Sequence, residues 1–240
     1  MSKDSTTQRS SPAELQRGLD LTNSGLSSKA IGLLVPLAIA GNAEAQFALW
    51  RCFLHGEPVV ASKRLAGYWL RRAAQNGHAA AQERLGSAYR TGDYLPKSLA
   101  SARLWFQLAA RNGNAKACGQ LGYLYFKGLG VTQNWSRAFQ CYEQGLALGD
   151  SYCINNLGWF YERGILVDKD YEKAREFFAL ASERGSSNGT FNLGVLQEYG
   201  RGMPADREKA RQLYERAALE GVTGAKEALA RLAREDETKK

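Results

Sequence analysis

Leucine returns every 36 residues along this chain, at Leu49, Leu85, Leu121, Leu157, Leu193 and Leu229. Glycine keeps that interval twice: at Gly56, Gly92, Gly128, Gly164 and Gly200, and at Gly77, Gly113, Gly149, Gly185 and Gly221. Alanine keeps it at Ala66, Ala102, Ala138, Ala174 and Ala210. Four gapless columns are not an accident of composition. A fixed period of this length marks a stack of supersecondary units, each packed on its neighbours and none stable alone. The units run 44–79, 80–115, 116–151, 152–187 and 188–223.

Each unit reads as two helices. In the third, Leu121, Leu124 and Tyr125 share one face of Lys116–Lys127. Gly128-Leu129-Gly130 stops that helix. Trp135–Leu148 follows, with Ala138, Tyr142 and Leu146 on one face, and Gly149 ends it. Asp150 or Ser151 is placed to cap the next helix. Gly86, Gly122, Gly158 and Gly194 fall in mid-helix, where glycine costs about 1 kcal/mol against alanine. That cost predicts a close helix crossing, with the alanine column as the opposing surface. The rings of Tyr89, Tyr125 and Tyr161, with Phe106, Tyr142, Phe178 and Tyr214, are expected to fill the space between repeats.

The lattice extends both ways. Ala30 and Gly41 fall on its columns, so 12–43 reads as a degenerate N-terminal repeat whose second helix covers Ile31–Ala40. Pro36 inside that helix should kink or shorten it. A lone capping helix is expected from 224, with a frayed polar tail over Asp236–Lys240, and residues 1–11 are expected to be flexible. The fold class is therefore all-α: an α/α solenoid, a right-handed superhelix of helix-turn-helix repeats.

Charge and cysteine content narrow the function classes. Net charge is +8, and residues 1–115 hold most of the excess, with 14 Lys/Arg against 7 Asp/Glu. There is no run of basic residues, so an ordinary solvated surface accounts for the bias, and nucleic-acid binding is a minor alternative. Cys52, Cys118, Cys141 and Cys153 form no CxxC, and the chain has only 2 histidines. A metal site is not expected. The thiols are expected to be reduced in a cytoplasmic protein, with a Cys141–Cys153 bridge as the alternative. Ile31–Ala40 is too short to span a bilayer and follows a poor leader. A periplasmic location would require a processed or engineered N-terminus.

The pattern Ala-x-x-x-Leu-Gly-x-x-Tyr-x-x-Gly, then Ala-x-x-x-Tyr/Phe-x-x-Ala-Ala-x-x-Gly, resembles the Sel-one-like repeat (SLR) family, a tetratricopeptide-like family. The resemblance is clearest at Gln120–Val131 with Ala138 and Tyr142, then at Asn156–Gly164 and Lys209–Ala218. It covers roughly 44–235. Departures are Trp50 for the first mid-helix glycine, Gln197 in the tyrosine column, and Gly145-Leu146 for Ala-Ala. The disulfide pattern of the family's cysteine-rich members is also missing. The resemblance implies an adaptor or scaffold with no cofactor.

No catalytic constellation emerges. His55 and His78 sit beside glycines at a helix end and in a turn, as loop or cap residues do, and there is no phosphate-binding loop after a strand. In the related families the first helices line the concave face. That facing, carried over, gives Phe47, Arg51, Leu54 and His55; Glu83, Ser87 and Arg90; Tyr123, Phe126 and Lys127; Tyr152, Asn155, Trp159 and Arg163; and Phe191 and Tyr199. Aromatic area with Arg and Asn suits capture of a protein or peptide. The best candidates are Phe47, Arg51, Arg90, Tyr123, Phe126, Lys127, Asn155, Trp159 and Arg163. Two other readings stay open: an inhibitor or immunity-type protein that blocks a partner enzyme, and weak nucleic-acid binding by the basic N-terminal half.

Overall fold

A computed structural model describes residues 12–56, 61–93 and 95–238. The segment 1–11, expected to be flexible, lies outside the described residues. These residues form thirteen helices and no strand. The helices are α1 (Pro12–Asn23), α2 (Ser27–Ile39), α3 (Ala43–His55), α4 (Lys63–Gln75), α5 (Ala79–Thr91) and α6 (Leu99–Arg111). They continue with α7 (Ala115–Lys127), α8 (Trp135–Ala147), α9 (Ser151–Arg163), α10 (Tyr171–Glu183), α11 (Ser187–Tyr199), α12 (Arg207–Leu219) and α13 (Thr223–Glu237). The chain divides into two compact units, one ending at Asn114 and one beginning at Ala115. Within each unit consecutive helices pack as antiparallel hairpins, giving a solenoid of repeats.

The caps follow the period. Ser62, Ser98, Asn134, Asp170 and Asp206 each accept the backbone N–H three residues on, at the start of every second helix from α4 to α12. Asn42, His78, Asp150 and Ser186 do the same for α3, α5, α9 and α11. Each bond satisfies an amide the helix leaves unpaired, worth about 1 kcal/mol. At the other end of α9, Gly164 turns the chain with φ of 66°, a conformation a Cβ disfavours.

The mid-helix glycines do not meet the alanine column first; Gly86 alone has it among its nearest atoms, with the Ala102 carbonyl oxygen 3.2 Å from a Cβ built there. They face rings. A Cβ on Gly122 would stand 2.5 Å from the Tyr142 ring, and one on Gly158 2.7 Å from Phe178. Gly86 meets Phe106 and Gly194 meets Tyr214 in the same way. Each ring belongs to the second helix of the same hairpin and lies four residues beyond the column alanine. So these rings fill hairpins, and Tyr142 also meets Tyr152 and Phe160 of the next repeat at 6.2 Å between centroids, as expected of rings that fill the space between repeats. All four are buried. Where α3 carries Trp50 instead of glycine, the ring position holds Leu70. Bulk has moved from one helix of the hairpin to the other.

Two expectations about the ends change. Pro36 does not shorten α2, which has the same 13 residues as α4. The carbonyl deprived of a partner is that of Gly32, and both Gly32 and Pro36 are exposed, so water can solvate it. Asp236 is not frayed. It lies inside α13 and accepts hydrogen bonds from Arg207 (2.9 Å) and Arg211 (2.5 Å). Arg231 of α13 and Tyr214 of α12 both donate to Glu198 of α11 at 2.7 Å. Leu232 is fully buried in the same joint.

Candidate partner-binding surface

The candidates fall in both units. In the first, Phe47 is half-buried, stacked on Trp50 at 4.8 Å and on His78 at 4.2 Å between ring centroids. Arg51 is exposed and donates to Asn23. Arg90 is half-buried. Glu83, expected at the surface, is buried and accepts from Ser87 at 3.0 Å. His78 is engaged at both ring nitrogens: Nδ1 accepts from Ala81, and Nε2 lies 3.1 Å from Glu44. The histidine thus builds the start of α5. His55 is exposed at the end of α3.

The second unit brings its candidates together. Phe126 of α7 meets Trp159 of α9 edge to face at 5.2 Å, and the Lys127 ammonium stands 5.3 Å from the Phe126 ring centre. Trp159 also packs edge-on against Phe160. Phe126, Trp159 and Tyr123 are half-buried, so each leaves part of its ring to solvent. Lys127 and Arg163 are exposed. Asn155, Trp159 and Arg163 follow at four-residue steps and share one face of α9.

That face leads into a cavity of about 660 Å³ between α9, α11 and the start of α13. Asn155, Asn188 and Asn192 line it, with Phe191 and Val222. Asn192 donates to Asn155 at 2.9 Å, which fixes the direction of both amides. Asn188 is exposed. An amide offers a donor and an acceptor together, the complement of a peptide group. The facing carried over from the related families pointed to Asn155 but not to Asn188 or Asn192; Asn192 repeats only Asn156 one unit earlier, and Asn188 repeats in no column.

The thiols lie apart from this surface. Cys52, Cys118 and Cys153 are buried, Cys141 is half-buried, and none of the four is in a disulfide. Burial, with Asp150 nearby, pushes Cys118 up to about 11. Burial, with Cys118 nearby, pushes Cys141 up to about 12. Burial also raises Cys153. Protonated thiols are poor nucleophiles and poor ligands. Among the described residues no cluster of His, Cys, Asp and Glu could hold a metal ion, and no helix is long and apolar enough to cross a membrane.

Comparison with known proteins supplies a family. The sequence model of the Sel1 repeat matches residues 43–78, 79–114, 115–150, 151–186 and 187–222. Its phase starts one residue before the units drawn from the leucine and glycine columns. The chain is similar to the crystal structure of a Sel1 repeat protein from Oxalobacter formigenes, with TM-score 0.84 and 27% identity over 91% of this chain and 87% of that one. It is also similar to a protective antigen present in uropathogenic Escherichia coli strains and displaying an SLR fold. There the TM-score is 0.78 and identity 32%, over 92% of this chain but 48% of the other. The immunity protein PA5088 from Pseudomonas aeruginosa shares the fold alone, with TM-score 0.56 and 15% identity over 87% and 83% of the two chains. No curated protein matches the chain by sequence.

Proposed function

Because the chain belongs to the Sel1 repeat family, we propose that it is a non-enzymatic adaptor holding a partner protein or peptide on the first-helix surface of its second unit. Sel1 repeats are generally a protein-interaction fold, and that much comes with the family. The finer reading rests on one observation. A single face of α9 carries Asn155 on the wall of the 660 Å³ cavity, then Trp159 edge-on to Phe126 beside Lys127, then exposed Arg163. A half-exposed aromatic pair supplies apolar area at low entropy cost. The flanking cations and amides fix the direction of a bound chain. The likeness to an immunity protein, at 15% identity, carries the architecture and not the role.

Affinity capture from the source lysate with mass spectrometry identifies the partner. The purified pair then tests the site. Trp159→Ala with Arg163→Ala should weaken binding by about 2–4 kcal/mol, the usual loss at an interface hot spot. The melting temperature should change little. Unchanged binding sinks the proposed surface. A large drop in melting temperature assigns Trp159 to packing against Phe126 and Phe160 instead.

A further inference from the structure

Elsewhere in the second unit, α10, α11 and α12 line an open cavity of about 620 Å³. Leu193, Met203 and Leu213 give it an apolar floor, and Arg175, Lys209 and Arg216 stand around it. One repeat earlier the corresponding place is full. Phe139, Tyr161 and Phe177 occupy the positions that become Arg175, Gln197 and Leu213. Tyr161 stacks on Phe177 at 5.5 Å between centroids, and Phe139 lies 6.5 Å from Tyr161. The cavity is therefore a seam of the solenoid from which the rings have been removed.

Charge changes in the same step. Glu143 and Glu176 of the filled seam become Ala179 and Gln212, while Leu180 becomes Arg216. Two carboxylates are lost and two guanidinium groups gained. Lys209 is held by Asp206 at 3.4 Å, and Arg216 donates to Ser182 and to Thr190. Arg175 has no hydrogen-bond or ion-pair partner among the described residues, and its Nε is buried without one. A buried donor left unpaired forfeits its hydration, which a bound anion would make good.

We propose that this cavity binds the carboxyl-terminal aromatic residue of a polypeptide. The ring takes the space that Tyr161 and its neighbours fill one repeat earlier. The terminal carboxylate pairs with Arg175, and the exposed Gln212 amide meets the preceding peptide group. The volume is that of an ordinary small-ligand site. That the ligand is a polypeptide rests on the adaptor reading. The need for a ring and an anion together rests on the cavity alone.

Met203 reports on the site, since the chain has only 2 methionines. The full chain carrying ¹³C-methyl methionine is titrated with N-acetyl-Gly-Gly-Phe bearing a free carboxylate. A Met203→Leu spectrum assigns the signal. The Met203 methyl resonance should shift saturably. The carboxamide form of the peptide, and the Arg175→Gln chain with the free acid, should each bind at least tenfold more weakly. Gln197→Tyr with Leu213→Phe restores two of the rings. It should abolish binding while the melting temperature holds or rises, which separates occlusion from unfolding. No Met203 shift at roughly 10 mM peptide, an equal affinity for the carboxamide, or binding that survives refilling would each overturn the proposal. Equally tight binding of 3-phenylpropionate would overturn the polypeptide assignment. Capture through Trp159 and Arg163 is read separately, so loss of either site leaves the other result standing.

Discussion

Gln46 and Gln82 of the first unit stand in the same column as Cys118, Ile154 and Thr190 of the second, and the two units close their hairpin joints by different chemistry. Gln46 donates to the Ala38 carbonyl at 2.8 Å and accepts from Asn76 at 2.9 Å. Gln82 repeats this with Ala74 at 3.0 Å and Asn112 at 2.9 Å. In the second unit Cys118 and Ile154 are buried without side-chain amides, and Leu148 and Arg184 replace the asparagines. Thr190 pairs with Ser182 at 2.8 Å. A joint of this stack can be dry and apolar or polar and fully paired. It cannot be polar and unpaired, because a buried amide without partners forfeits its hydration.

The largest effect should come from exchanging bulk between the helices of a hairpin. Gly158→Trp places in the second unit what α3 already carries at Trp50. Alone it should cost about 3 kcal/mol or more, since the new side chain enters the Phe178 ring. Adding Phe178→Leu, which copies Leu70, should return a substantial part of the loss in urea unfolding. A double variant no more stable than the single one would mean that Leu70 does not make room for Trp50.

A smaller effect is expected at the amide joint. Gln82→Ala should destabilise by about 2 kcal/mol, leaving the Ala74 carbonyl and one Asn112 donor without this partner. The pair Gln82→Cys and Asn112→Leu imports the chemistry of Cys118 and Leu148 and removes both polar partners together. It should cost less than Gln82→Ala. If it costs the sum of the two single changes, the side chains do not act as a clamp.

The smallest effect at neutral pH concerns the thiols that fill the second unit's joint. A Cβ on Gly145 would collide with Cys153 and stand 3.3 Å from the Cys118 Cβ, so these residues pack tightly. The folded-state values of Cys118 and Cys141 are raised to about 11 and about 12. Stability from keeping these thiols neutral is therefore complete below the unfolded value, about 8.5, and is lost as pH rises through 11 and 12. Iodoacetamide at pH 8 should modify Cys118 and Cys153 at least a hundredfold more slowly in the folded chain than in urea, read by mass spectrometry. Comparable rates would show that the joint opens readily.

The architecture was legible because its signals repeat. Leucine, alanine and glycine columns give period and polarity, and the helix count follows. The cap at Asp150 was legible for the same reason. What does not repeat stayed hidden. Gln46 and Gln82 occupy their column only twice, and the contact that orders Asp236 is made once, between α13 and the start of α12. The ring opposite each glycine stayed hidden because spacing says which residues share a face but not how far a side chain reaches. The ring-depleted seam left one trace, Gln197 in a tyrosine column, which reads as a departure until its neighbours Arg175 and Leu213 are set against Phe139 and Phe177. Asn188 left none, and Asn192 only its match with Asn156 one repeat earlier.

The latch holding α13 also bears on what that helix covers. Glu198 is shared by Arg231 and Tyr214, and Asp236 by Arg207 and Arg211, so the last helix is fastened to both members of the hairpin beneath it. Its outward side carries exposed Lys226, Glu227, Arg234 and Glu237. Without α13, the apolar side chains that pack against it, Phe191 and Val195 among them, would lie open at the end of the chain. That is a sticky end of the kind on which head-to-tail growth between copies begins. The latch thus keeps that apolar end of the described stack covered by a helix whose other side is polar.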